Sequence, residues 1–229
     1  MNLEQKRIIQ AIVNTFETGV PEGGYDAVTI LRDGAGISYG RSQATDGGDN
    51  LDHIVYRYFD LGGRYSEELR AFVDELEADA TTTVDPANPP PWCRALMALL
   101  QAAGSDPIMR RAQDEIFDER YWVPAENQSR SMGLVLPLSW AVVYDTCIHS
   151  GPAGLARIRK LFAEVPPSNQ GDEKSWTSAY VAARERWLAN HPKVVLHPTT
   201  YRMRTFRALI AAGNWDLVPP FKVLGATLQ

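Results

Sequence analysis

Hydrophobic residues recur at helical spacing from the first turn of the chain. Asn2 with Gln5 three residues later forms a capping-box pattern before this row, and Gly19 is a stop signal after it. The spacing of three and four predicts a helix over about 3–18. The apolar row consists of Ile8, Ile9, Ile12, Val13 and Phe16.

A different pattern follows in the next part of the chain. The run 27–31 is rich in β-branched residues, 33–36 carries two turn-forming glycines, and 37–39 returns to strand-forming residue types. This pattern predicts a small hairpin or a short sheet. The segment 45–49 is expected to be a loop whose end caps a helix at 51–61.

Most of the remaining chain has the pattern of helices. A second helix is expected over 66–78, prolines mark a loop over 80–91, and 218–221 is expected to be extended. The predicted fold class is therefore α+β, mainly α, with a small β-sheet near the N-terminus. The further predicted helices are 92–103, 106–120, 130–149, 151–163, 172–189 and 199–212.

Composition narrows the possible partners. The 229 residues are 45% hydrophobic and 22% charged, an ordinary globular composition. The net charge of −5 argues against nonspecific binding to nucleic acid. The uncharged stretch 131–144 is short and contains Pro137, so it cannot cross a bilayer. We expect neither a nucleic-acid nor a membrane partner.

The metal-binding residue types are sparse. Cys93 and Cys147 allow at most one disulfide and fall short of a structural zinc set, and we interpret both as buried thiols. The four histidines lack a ligand spacing such as HExxH. No metal and no cofactor are expected.

Glu17 is the first candidate for chemistry. It continues the row of Ile9 and Val13 in steps of four at the C-terminal end of the first predicted helix. Burial and the negative end of the helix dipole both disfavour an ionised carboxyl there, as a general acid requires. On this feature alone, a solvated helix-end glutamate is the more common case.

Asp33 is the second candidate. It lies before two glycines, Gly34 and Gly36, which let the backbone approach another molecule closely. An aspartate in such a place is more often a turn former. An acid on a strand loop can, however, face an acid on a helix end across a cleft. Two carboxyls in unlike environments are what glycosidic hydrolysis requires.

Short motifs are spread over nearly the whole chain. They are Phe16-Glu17, Asp33-Gly34-x-Gly36-x-Ser38, Gly48-Asp49-x-Leu51, Gln113-Asp114-Glu115, Asp118-Glu119-Arg120-Tyr121-Trp122-x-Pro124-Ala125, Tyr144-Asp145, His149-x-Gly151-Pro152, Gly171-Asp172-Glu173, Ala183-Arg184 and Ala212-Gly213-Asn214-x-Asp216-Leu217-x-Pro219-Pro220. In this order, the chain resembles the chitosanases of glycoside hydrolase family 46 over roughly 3–222. Each motif is weak by itself, and their collinear order carries the resemblance.

The resemblance implies catalytic roles. Glu17 resembles the general acid, Asp33 the general base, and Ser38 the hydroxyl residue that helps to hold the attacking water. The family usually has threonine in place of Ser38 and arginine in place of Ala35. Serine lacks the methyl group that restricts the rotamer, and alanine removes one expected sugar contact.

The candidate substrate-binding residues are Asp49, Tyr25 and Arg41. Asp49 resembles a family residue that binds the amino group of the substrate, which suits a carboxylate facing an ammonium. The alternative reading of Asp49 is an N-cap for the helix at Leu51.

Asp145 follows the apolar run 140–144, so its charge must be paired. Arg184 and Arg120 are the candidate partners. The resemblance implies a buried Asp–Arg network behind the active site, so Asp145 is interpreted as support and not as a catalyst. His149 is interpreted as a core or loop histidine.

The resemblance implies a lysozyme-like two-lobed fold with the cleft between the lobes. We expect a single catalytic domain over 1–229, with a smaller β-containing lobe at about 24–90 and a larger helical lobe at about 1–23 plus 91–229. A monomer is expected.

The leading functional expectation is an inverting endo-hydrolase that cleaves β-1,4 bonds of chitosan-like amino sugar polymers. One alternative is a peptidoglycan-cleaving relative delivered by a phage or a secretion system. Another is a carbohydrate-binding protein without turnover. The resembling family is secreted, whereas residues 1–7 contain no apolar signal region. The chain is therefore expected to be cytoplasmic, to have lost a signal, or to be exported by another route.

Overall fold

The computed structural model describes residues 1–41, 43–48, 50–151 and 153–229. Its contacts divide the chain into two compact units. The helical unit comprises Met1–Pro21 and Glu119–Gln229, and the sheet unit comprises Glu22–Asp118. The prediction that the chain forms one catalytic domain stays a prediction.

The elements confirm the predicted fold class, mainly helical with a small antiparallel sheet near the N-terminus. The helices are α1 (Leu3–Thr18), α2 (Leu51–Asp60), α3 (Ser66–Arg70), α4 (Val73–Glu77), α5 (Pro91–Ala103), α6 (Pro107–Phe117), α7 (Val123–Ser131), α8 (Pro137–Ser150), α9 (Gly154–Arg159), α10 (Glu173–Ala189) and α11 (Tyr201–Ala211). The strands are β1 (Val28–Ile30), β2 (Ile37–Tyr39), β3 (Ala44–Thr45), β4 (Phe221–Val223) and β5 (Ala226–Leu228).

Helix α8 lies at the centre of the helical unit. Every residue from Pro137 to Cys147 is buried, the behaviour of a helix that is apolar on all sides. Helices α1, α7, α9, α10 and α11 all contact it. A charge on α8 is therefore surrounded by other helices.

Helix α1 has the predicted bounds because its end signals act as expected. The side chain of Asn2 accepts from the Gln5 backbone N–H at 2.8 Å, and the Asn2 N–H donates to the Gln5 side chain at 3.0 Å. Gly19 ends the helix in the left-handed conformation. This end places Glu17 in the last turn.

In the sheet unit, β1, β2 and β3 pair antiparallel in chain order. Ile30 pairs with Ile37, so residues 31–36 form the connection between β1 and β2. Helix α5 contacts β1, and α2 packs on α6 and α4. This packing places 91–118 with the sheet unit, whereas the sequence placed this segment in the helical lobe.

The prediction of one helix over 130–149 is wrong. Helix α7 ends at Ser131, and α8 begins at Pro137. Between them, Gly133 takes a φ of 72°, and the Leu134 N–H turns back to the Ser129 carbonyl at 3.0 Å. Helix α7 was not predicted from the sequence, because a proline usually indicates a break in a helix. Pro124 lies instead in the first turn of α7, where the N–H that proline lacks would have no partner within the helix.

Other predicted bounds also change. The helix expected over 66–78 is two short helices, α3 and α4, separated at Ala71–Phe72. The helix expected over 151–163 is confined to α9. The extended end continues into the hairpin β4–β5, which the sequence did not reveal. These changes lie at turns, where neighbouring elements outweigh local propensity.

Two other expectations can be compared with the structure. Cys93 and Cys147 are free buried thiols, as predicted. Within the described ranges, no helix has the length and apolarity needed to cross a bilayer.

The contact at Gly104 gives a prediction about stability. A Cβ atom there would lie 2.5 Å from the Asp26 Cα and 2.6 Å from the Tyr25 carbonyl oxygen. Both are backbone atoms that cannot rotate away, so Gly104→Ala should lower the free energy of unfolding by about 1–3 kcal/mol. Urea unfolding measures this change. The exposed neighbour Ser105 is the control, since Ser105→Ala should stay within about 0.5 kcal/mol of the wild type. A Gly104→Ala protein of wild-type stability would contradict the contact.

Candidate active site

Glu17 is held by helix α11. Its side chain is 20% exposed, and its Oε1 accepts from the Nη2 of Arg202 at 2.8 Å. The Tyr201 hydroxyl donates to the Phe16 carbonyl at 2.9 Å, and the Phe16 ring packs edge-on against Phe206. The end of α1 is thus held against α11 by a hydrogen bond to its backbone, by packing of aromatic rings and by an ion pair.

Arg202 also binds Asp145, which is fully buried on α8. The Nη1 of Arg202 donates to the Asp145 Oδ1 at 2.8 Å, and Arg184 from α10 donates to Oδ2. Glu17, Arg202, Asp145 and Arg184 therefore form a chain of alternating charge. All four belong to the helical unit.

The pairing determines which groups in this chain stay charged. Burial by itself would raise the pKa of Asp145, but the charges of Arg184 and Arg202 outweigh it and hold the pKa below its usual value. Burial works to lower the pKa of Arg202, but Asp145 and Glu17 outweigh it and raise that pKa. Both groups stay ionised, so the Arg202 guanidinium is a permanent cation beside Glu17.

The expected pairing of Asp145 is confirmed for Arg184, and its second partner is Arg202. Arg202 was missed, although it lies in one helical row with Phe206 and Leu209, which are buried with it on α11. A charged residue in such a row indicates a buried ion pair. Arg120 lies in the π-helical segment Asp118–Trp122, and its pairing with Asp145 stays a prediction.

Asp33 occupies a turn built by glycines. Its Oδ1 accepts from the Ala35 N–H at 3.0 Å, the arrangement of an Asx turn. Gly34 and Gly36 take φ values of 78° and 73°, which side-chain-bearing residues rarely adopt. Asp33 itself is exposed, so its surroundings differ from those of Glu17.

Ser38 follows this turn on β2 and is buried. It pairs with Thr29 on β1 and with Thr45 on β3. Asp33 and Ser38 are therefore five residues apart on one hairpin of the sheet unit. The two carboxyls with predicted catalytic roles come from different units, Glu17 from the helical unit and Asp33 from the sheet unit.

Tyr25 and Arg41 meet at a residue that was not chosen from the sequence. The Tyr25 hydroxyl donates to the Asp114 Oδ1 at 2.9 Å, and Arg41 forms an ion pair with the same oxygen. The Arg41 side chain is 4% exposed and that of Asp114 44% exposed. The accessible charge of this group is therefore the Asp114 carboxylate. The sequence feature that could have pointed to Asp114 is the motif Gln113-Asp114-Glu115.

Gln113 fixes the backbone on both sides of this group. Its Nε2 donates to the Tyr25 carbonyl at 2.9 Å, and its Oε1 accepts from the Arg41 N–H at 3.1 Å. Burial raises the pKa of the Tyr25 hydroxyl, with Asp114 acting in the same direction and Arg41 against it. Tyr25 thus stays a neutral hydrogen-bond donor.

Asp49 lies outside the described residues, so its substrate-binding role stays a prediction. Among the described residues, no group of three or more His, Cys, Asp or Glu side chains is arranged to hold a metal ion.

The comparisons with known proteins agree on the family. The family model described as "Glycosyl hydrolase family 46" matches residues 11–221. The chain belongs to glycosyl hydrolase family 46. It is therefore a glycoside hydrolase, as the resemblance of its motifs implied.

Relatives and solved structures of this family cover nearly the whole chain. The chitosanase of Bacillus subtilis (strain 168) is 28% identical, and the aligned part covers 97% of this chain and 83% of the relative. A mutant chitosanase from Bacillus subtilis MY002, complexed with 6 GlcN, is 26% identical with a TM-score of 0.83 over 99% of this chain and 96% of its own. A Gynuella sunshinyii GH46 chitosanase with chitotetraose is 26% identical with a TM-score of 0.82 over 100% of this chain and 98% of its own.

The buried surroundings of His149 predict that the stability of this family 46 member depends on pH. Burial lowers the pKa of His149 to about 4, with Arg202 and Arg184 acting in the same direction and Asp145 against it. The unfolded chain takes up this proton near pH 6.5, so between pH 6.5 and 4 the unfolded state binds more protons. The free energy of unfolding should fall by up to about 3 kcal/mol as the pH falls through this window.

Urea unfolding at a series of pH values measures this effect. His149→Gln should flatten the pH dependence between 6.5 and 4, because the amide does not titrate. The exposed His53 on α2 provides the control for the exchange of a histidine for glutamine, and His149→Gln should flatten the dependence more than His53→Gln does. The same slope in wild type and His149→Gln would show that another group causes it.

Proposed function

We propose that this glycoside hydrolase is an inverting endo-enzyme that cleaves the β-1,4 bonds of chitosan. The observation that carries the proposal is the contrast between two carboxyls. Glu17 is largely buried beside the ion pairs of Arg202 and Asp145, whereas Asp33 is exposed on a glycine-rich turn. Unlike surroundings favour different protonation roles for two carboxyls in one enzyme.

Glu17 is proposed as the general acid. Its Oε1 accepts from the Nη2 of Arg202 at 2.8 Å, and the carboxyl is proposed to deliver its proton to the leaving glycosidic oxygen. Arg202 is itself fixed by Asp145, which keeps the direction of the Glu17 carboxyl constant.

Asp33 is proposed as the general base. Its Oδ1 accepts from the Ala35 N–H, which leaves Oδ2 to take a proton from the attacking water. Ser38 is proposed to orient that water with its hydroxyl. Inversion requires the water on the opposite face of the sugar from the acid, with the two carboxyls about 6.5–9.5 Å apart.

The proposed substrate class rests on charge and on the relatives. The related structures hold glucosamine and chitotetraose, and glucosamine units are cationic. The chain has a net charge of −5, and the partly exposed Asp114 with its Tyr25 hydroxyl offers a carboxylate to an ammonium group. Asp49 remains a second proposed contact of the same kind.

We expect Glu17→Gln and Asp33→Asn each to lower turnover of chitosan by a factor of about 10²–10⁴, because an amide cannot transfer the proton. New reducing ends released from chitosan and from purified peptidoglycan measure activity. Glu4→Gln, on the exposed N-terminal turn of the same helix as Glu17, is the control and should keep wild-type turnover.

Three outcomes would change the proposal. A Glu17→Gln enzyme with more than half of wild-type turnover would contradict the acid assignment. A wild type that cleaves only peptidoglycan would favour the lysozyme-like alternative. A wild type that binds chitosan without cleaving it would favour a binding protein.

The stereochemistry of the product tests the mechanism separately. An inverting enzyme that attacks a β-linked polymer releases the α-anomer first, because water enters from the face opposite the leaving group. Proton NMR of the anomeric region during the first minutes of reaction should therefore show the α signal before mutarotation. The β signal appearing first would exclude inversion.

A further inference from the structure

The turn that carries Asp33 has little of its own to hold it in place. Two of its residues, Gly34 and Gly36, have no side chain, and both take positive φ values. Glycine backbone is the most flexible in the unfolded and loop states. The conformation of the turn therefore depends on bonds from other segments of the sheet unit.

Two backbone groups on either side of Gly36 receive such bonds. The Ala35 carbonyl accepts from the Gly47 N–H at 3.1 Å. The Ile37 N–H donates to the Thr81 Oγ1 at 2.9 Å. The two partner segments are the 3-10 turns Asp46–Gly48 and Ala80–Thr83.

The partner turns are joined to each other by a buried carboxyl. The Oδ2 of Asp46 accepts from the Thr81 backbone N–H at 3.1 Å and also from the Thr81 hydroxyl. Because the Thr81 hydroxyl donates to Asp46, its oxygen is oriented to accept from Ile37. Asp46 is 2% exposed and Thr81 is 0% exposed, so water does not compete for these bonds.

Close packing adds a steric constraint at the same point. A Cβ atom on Gly36 would lie 2.3 Å from the Thr81 Oγ1 and 3.0 Å from the Thr82 backbone nitrogen. The turn is therefore pressed directly against the residue that binds it. Removal of the Thr81 hydroxyl would take the hydrogen-bond acceptor away from the Ile37 N–H.

We propose that Asp46 and Thr81 are positioning residues that hold the Asp33 turn and the start of β2, and thereby the proposed base and the proposed water-orienting Ser38. We call the pair, with the bond from the Ile37 N–H to Thr81, the Asp46–Thr81 latch. The inference rests on the proposed function, since it assigns the latch to Asp33 and Ser38. It adds residues that act on catalysis through the backbone and do not touch the sugar.

The latch predicts a specific kinetic effect. Thr81→Val keeps the β-branched shape but removes the hydroxyl, so the Ile37 N–H loses its acceptor. A small displacement of a reacting group lowers the rate by up to about 10²-fold, so we expect kcat on chitosan to fall by about 10- to 100-fold. KM should stay within about twofold, because the groups that move act on water and not on sugar binding.

Conservative variants distinguish positioning from general loss of structure. Thr81→Ser keeps the hydroxyl and should retain kcat within about threefold of the wild type. Asp46→Asn keeps an acceptor oxygen for Thr81 and should also be mild, whereas Asp46→Ala should resemble Thr81→Val. Thr83→Val is the matched control and should have wild-type kcat, because Thr83 is exposed in the same 3-10 turn and its hydroxyl donates to the Ala80 carbonyl of that turn.

A double-mutant cycle tests whether the latch acts through Asp33. In the Asp33→Asn background, Thr81→Val should lower the residual rate by a smaller factor than in the wild type, because one of the two groups that it positions is already disabled. Amide exchange gives a readout without activity, and the Ile37 amide should exchange faster in Thr81→Val than in Thr83→Val.

Each outcome supports or overturns the latch. A wild type that does not cleave chitosan, or an active Asp33→Asn variant, overturns the proposed function and this inference with it. If the wild type is active and Asp33→Asn is not, then a Thr81→Val enzyme with wild-type kcat overturns the latch alone. An equal loss in Thr81→Val and Thr81→Ser also overturns it. If Thr81→Val does not fold, Asp46→Ala against Asp46→Asn decides by the same criteria.

Discussion

A carboxylate with no exposure to solvent lies on the central helix α8, and the arrangement of the helical unit depends on neutralising its charge. Moving an ion out of water is expensive unless opposite charges and hydrogen bonds replace the water. Asp145 obtains them from Arg184 on α10 and Arg202 on α11, so one anion ties together three helices. Arg202 binds Asp145 with Nη1, and its Nη2 binds Glu17. The arginine that neutralises Asp145 therefore also holds the Glu17 carboxyl in place.

The sheet unit positions its candidate residues by a different physical means. The turn that carries Asp33 has few side chains to pack, because Gly34 and Gly36 are two of its residues. Backbone hydrogen bonds from Gly47 and to Thr81 fix it, with the buried carboxyl of Asp46 behind them. Such bonds are strong enough to select one conformation because they are shielded from water. A turn rich in glycine can therefore still be well ordered.

These two solutions suit the two roles that we propose. A general acid needs a carboxyl that is held in a constant direction, and the hydrogen bond from Arg202 holds that of Glu17. A general base that works with water benefits from exposure, as Asp33 has. Membership in glycosyl hydrolase family 46 places both residues in a glycoside hydrolase. Tyr25 and Arg41 converge on Asp114, which leaves the carboxylate as the accessible charge of that group.

The sequence by itself determined what depends on neighbours along the chain. The capping residues Asn2 and Gly19 set the bounds of α1, the glycines around Asp33 indicated a turn, and the order of the motifs indicated the family. The sequence also showed that Asp145 needed a cation. It left open which residues would meet in space, because Arg202 is 57 positions from Asp145 and Thr81 is 35 positions from Asp46. Only tertiary packing decides such pairs, since the free energy of a buried charge or hydrogen bond depends on which partner reaches it after water is excluded.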